Sequence, residues 1–100
     1  MTVDDKILDW LGFKLGECNT LLDPEGVLVE VYPQGGKPTI NMDFLFEYAV
    51  PELNMMYVIF WENGEVHLAY HTKKDLYKVA IGKDKDPVVA FKQALIKVID

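Results

Sequence analysis

The sequence predicts an α+β fold: one antiparallel β-sheet of about four strands, covered by helices on both faces, in the order α-β-α-β-β-β-α. Three observations predict it. Asn63-Gly64 lies between two runs rich in β-branched and aromatic residues, the strongest short-range hairpin signal. Tyr77, Val79 and Ile81 alternate with Leu76, Lys78 and Ala80, which adds a third meander strand. Asp86-Pro87 then opens a helix whose Val88, Phe91, Leu95, Val98 and Ile99 form one apolar stripe, with Ala94 beside it.

The earlier elements follow from local chemistry. Thr2 and Asp5 have the spacing of a capping pair. Val3, Ile7 and Leu11 recur every four residues, and Gly12 is a C-terminal stop, so the chain begins with a short helix. The stretch from Phe13 to Glu17 is irregular or a short strand. Asp23-Pro24-Glu25-Gly26 is a turn, since proline fixes φ and glycine supplies a positive one. Val27 to Tyr32 alternates as a strand, and Pro33 to Pro38 is a loop. Asn41 or Thr39 caps a second helix from about Met42 to Val50. Pro51 ends it, because the residue before proline is pushed out of the α region.

A type I′ turn centred on Asn63-Gly64 sets Trp61 opposite Val66, Phe60 opposite His67 and Val58 opposite Ala69. One face then carries Met55, Tyr57, Ile59, Trp61, Val66, Leu68 and Tyr70, all apolar or aromatic, and is expected to be buried. The other carries Met56, Val58, Phe60 and Ala69, interrupted by His67 and His71. Those six residues are the candidate interaction face, because two short helices and one long one leave an apolar band half covered.

One hundred residues form a single domain, 1–100, with room for a modest core. No apolar run is long enough to span a bilayer and no secretory leader opens the chain, so the expected location is the cytoplasm, with no membrane partner. Cys18 is the only cysteine, which precludes an internal disulfide and fits a reducing compartment. The net charge of −6 argues against direct nucleic-acid binding. The chain has no arginine, which removes bidentate phosphate clamping, and no serine, which removes the serine nucleophile.

Two stretches also carry a resemblance. Asp5 to Lys14 is a short helix ending in Gly12-Phe13, and Asp84 to Ile99 is a capped, alanine-containing helix. A mid-chain helix and a meander lie between them. In this order of elements the chain resembles the phage ABA sandwich domain, a family of small phage and prophage proteins built as an antiparallel sheet between helical layers. The resemblance implies a phage or prophage origin, the host cytoplasm as location, and an unassigned role. It brings no catalytic residues.

The candidate chemistry is sparse. Cys18 with His67 or His71 would be a thiol and its base, but Glu17-Cys18-Asn19 offers no cation to activate the sulfur. His67 and His71 lie four residues apart on a strand, roughly 13 Å, too far to chelate one ion. Lys83 to Asp86 lacks the EF-hand pattern, and Gly35-Gly36-Lys37 lacks P-loop spacing. Trp10, Tyr57, Trp61 and Tyr70 are either core or the lining of a ligand pocket. No catalytic, metal or cofactor residues are expected, and no cofactor. The expected function is a non-enzymatic module that binds a protein or its own copy as a homodimer. The alternatives are an acidic inhibitor filling a basic nucleic-acid groove of a host enzyme, and a small-ligand-binding or sequestering protein built on the aromatic hairpin.

Overall fold

The computed structural model describes residues 2–53, 55–71 and 77–99, without the side chains of 55 and 56. The chain is α+β, with two antiparallel sheets of three strands each in place of the single sheet expected. Helix α1 (Val3–Leu11) leads into strands β1 (Lys14–Gly16), β2 (Thr20–Leu22) and β3 (Leu28–Val31). A helical segment follows, made of α2 (Met42–Phe44), a π turn (Leu45–Ala49) and α3 (Val50–Glu52). Strands β4 (Met55–Phe60), β5 (Glu65–His71) and β6 (Tyr77–Lys83) form the second meander, and α4 (Pro87–Ile99) ends the fold. The expected turn at Thr72–Asp75 and the start of the third strand at Leu76 lie outside the described residues.

Several local readings hold. In α1 the Asp5 N–H donates to Thr2 Oγ1 at 3.1 Å and the Thr2 N–H to Asp5 Oδ2 at 3.3 Å, a complete capping box. Asn41 Oδ1, not Thr39, accepts from the Phe44 N–H at 2.9 Å and caps α2. Asp86 Oδ1 accepts from the Val88 N–H at 2.9 Å and opens α4, with Pro87 as its first residue. Asp23 Oδ1 accepts from the N–H groups of Glu25 and Val27, closing the turn between β2 and β3.

Two expectations are corrected. The second helix does not stop at Pro51 but runs one residue beyond it, to Glu52. Proline removes one helical N–H and crowds the preceding turn. The chain answers by widening over Leu45–Ala49, where the Val50 N–H donates to the Leu45 carbonyl five residues back. The head of the chain, expected to hold one strand, holds three. The β1–β2 turn places Cys18 and Asn19 at φ 57° and 56°, a left-handed pair without glycine.

One hydrophobic core runs through both sheets and the helices, with Ile7, Leu21, Leu45, Leu68, Phe91 and Leu95 among its fully buried residues. Helix α4 lies on the β4–β6 sheet and contacts β6 and β5. It comes so close at Gly82 that a Cβ there would stand 1.8 Å from the Ala90 carbonyl oxygen. Ala90 and Ala94, both fully buried, keep that approach free of side chains. Lys92 Nζ joins α4 to Asp4 Oδ1 of α1 at 2.9 Å.

Candidate interaction surface

The register of the β4–β5 hairpin decides which side chains face water. The turn is not the two-residue type expected. Trp61 N–H donates to the Glu65 carbonyl and Gly64 N–H to the Trp61 carbonyl, so the loop is Glu62-Asn63-Gly64. Gly64 alone has a positive φ, 87°. This is the three-residue loop that ends in a left-handed bulge residue. Gly64 is doubly constrained, because a Cβ there would also meet the Asp84 carbonyl oxygen at 2.6 Å.

The extra loop residue moves every pair by one. Phe60 stands opposite Val66, Ile59 opposite His67, Val58 opposite Leu68 and Tyr57 opposite Ala69. A shift of one exchanges the faces of β4 relative to β5. Val58 and Phe60 therefore join Val66, Leu68 and Tyr70 on the side covered by α4. Phe60 packs 6.3 Å from Phe91, centroid to centroid. Tyr57, Ile59 and Trp61 join His67, Ala69 and His71 on the opposite side.

The candidate face read from the sequence is thus divided. His67, Ala69 and His71 share one side, Val58 and Phe60 lie on the other, and the side chain of Met56 is outside the described residues. The set expected to be buried divides in the same way: Val66 and Leu68 are core, whereas Trp61 is 52 % and Ile59 39 % exposed.

Strand β6 completes the outer face. It pairs with β5 so that Ile81 faces His67, Val79 faces Ala69 and Tyr77 faces His71. Tyr57, Ile59, Trp61, Tyr77, Val79 and Ile81 are all exposed, and Ala69 forms the fully buried floor between them. On β6 the larger residues point outward while Ala80 and Gly82 point to the helix. Exposed single apolar residues are ordinary, but six on one sheet face form a patch of the kind that marks an interaction site.

Two polar groups of this face are paired. His67 Nε2 lies 3.0 Å from Glu65 Oε2, and the Trp61 ring stacks at a tilt 5.6 Å from the imidazole. The bond from His67 holds the Glu65 carboxyl below its ordinary range, with Lys83 across the strand adding to it. A group whose pKa falls on folding adds stability above its unfolded pKa, and that contribution is lost as the pH drops through the folded value. His67→Ala should therefore move the Glu65 carboxyl titration, followed by carbon NMR, to higher pH. An unmoved midpoint would break the pair.

The exposure of Trp61 also sets a stability expectation. Trp61→Ala should cost less than about 1 kcal/mol in dilute protein, as for surface sites. A loss of roughly 3–5 kcal/mol on urea unfolding, the range of core aromatics, would return Trp61 to the interior.

The remaining candidates do not assemble. Cys18 is exposed in the β1–β2 turn, and among the described residues no hydrogen bond joins it to either histidine. No group of three or more His, Cys, Asp or Glu among the described residues is placed to hold a metal ion. Trp61 lines a cleft of 260 Å³ with Gly64, Asp84 and Lys85, below the size usual for ligand sites. Tyr57, Tyr70 and Trp10 are not part of that cleft, and Tyr70 faces α4, on the opposite side of the sheet from Tyr57 and Trp61. No helix among the described residues is long and apolar enough to cross a membrane. No protein-family model matches the chain, and comparison with curated proteins and with solved structures returns no match.

Proposed function

We propose that this chain is a non-enzymatic binding module of the small phage or prophage kind, acting in the cytoplasm through the outer face of the β4–β6 sheet. The observation that carries the binding role is the reversal of ordinary burial on strand β6. Tyr77, Val79 and Ile81 face outward while Ala80 and Gly82 face the core. A strand that served stability alone would bury its β-branched and aromatic residues. The face suits a protein surface, since its apolar residues surround one His67–Glu65 pair, with Lys83 and His71 at its two ends.

Photo-crosslinking in the cell that makes the protein tests this reading. A photoreactive amino acid at Tyr57 or Val79 is expected to give covalent protein adducts, and one at Glu25, in the β2–β3 turn, is expected to give none. The absence of adducts from both face positions would overturn the proposal.

A further inference from the structure

Resting on that reading, we propose that the occupant of the outer face is a second copy of this chain, packed sheet against sheet about a two-fold axis. Four features favour a copy.

The first is size. The six exposed side chains present on the order of 600 Å². With the histidines and the rim, that approaches the ~800 Å² per partner of a standard stable interface.

The second is charge. The protein carries 16 acidic residues and a net charge of −6, yet Glu65 is the one carboxylate at the described positions of this face. His67 and Lys83 offset it. A basic partner would find little to bind there, whereas a copy meets no like-charge penalty.

The third is that neither sheet edge invites strand addition. At β6 the Lys83 N–H donates to Gln93 Oε1 and the Ile81 carbonyl accepts from Lys97 Nζ, so side chains of α4 occupy the Ile81–Lys83 end of that edge. At β4 the register is broken by a bulge between Met55 and Tyr57. Two copies therefore meet through the face.

The pattern on the face also fits a copy of itself. An axis crossing the strands over Leu68 sets His67 of one copy above Ala69 of the other, a large group over the floor of the patch. It also sets Glu65 above His71 and Ile81 above Val79. Residue meets residue reciprocally, as a two-fold interface requires.

The test is sedimentation of the purified full chain across a concentration series. The expected mass is twice the 11.4 kDa of one chain. Ile59→Lys and Val79→Lys should each weaken the dimer at least tenfold, while Val31→Lys, an exposed site in the other sheet, leaves it intact. A second readout needs no change on the face. In a Trp10→Phe background, dilution should shift Trp61 emission to the red as the ring becomes exposed to water. A monomer at the highest soluble concentration would overturn the proposal, as would a dimer that survives both face variants or one dispersed by Val31→Lys. Crosslinks from Tyr57 to a different protein would end the self-association while leaving the binding role standing. No crosslinks at all would end both.

Discussion

A Gly82→Ala protein is expected to lose more than about 4 kcal/mol of stability, at the extreme of single substitutions. The methyl group would sit 1.8 Å from the Ala90 carbonyl oxygen, 2.8 Å from the Ala94 nitrogen and 2.9 Å from the Ala90 carbonyl carbon. All three are helix backbone, so no side-chain rotation relieves the clash. Helix α4 must lift from β6, which withdraws the fully buried Ala90, Phe91, Ala94 and Leu95 from the sheet. A domain of this length has a total stability of roughly 5–15 kcal/mol, so the variant should be near its unfolding threshold at ambient temperature. Circular dichroism during urea titration measures it. A loss under about 1 kcal/mol would mean that α4 does not rest on β6 as described.

Gly82 also shows where the sequence was legible and where it was not. The capped helix after Asp86, the first helix with its Thr2–Asp5 box, the Asn41 cap and the meander were all readable, because each depends on local hydrogen bonding. What depended on close approach was not. Hydropathy on β6 favours Tyr77, Val79 and Ile81 as the inner set, and a strand ending before Gly82 looks natural. The helix instead needs small residues beneath it, so the large ones are left outside.

The hairpin register failed for a related reason. Every residue from Met55 to Phe60 is apolar, so the alternation of β4 gives no preference and the turn alone decides. Asn-Gly serves both a two-residue loop, with two positive φ values, and a three-residue loop, with one. The second was realised, with Gly64 also pressed against Asp84. The first sheet was read only in part, with Val27 to Tyr32 as a strand and Phe13 to Glu17 as irregular or a short strand. Strand β2 was missed, because it is three residues long and its turn from β1 puts Cys18, which is not a turn residue, beside Asn19 in the left-handed region. Of the candidate interaction face, the sequence placed His67, Ala69 and His71 together correctly. It mistook their β4 neighbours, which are Tyr57, Ile59 and Trp61 rather than Met56, Val58 and Phe60.

Phe91→Ala is the second large effect, expected to cost roughly 3–5 kcal/mol as for a buried aromatic reduced to a methyl group. Phe91 has no exposed surface and touches two rings, Phe46 at 5.7 Å and 63° and Phe60 at 6.3 Å and 33°. Both partners are half open to water, so each relies on Phe91 for much of its packing. The cost alone does not test the register, but a double-mutant cycle does. Phe60→Ala, Phe91→Ala and the double variant should show a coupling of about 0.5–1.5 kcal/mol, the scale of aromatic pairs. That coupling exists only if Phe60 points toward α4. With Asn63 and Gly64 in a two-residue turn, Phe60 would stand opposite His67 on the outer face, and the two substitutions would add independently. An additive cycle would therefore restore that register, bury Trp61 and remove the exposed patch from which the dimer is argued.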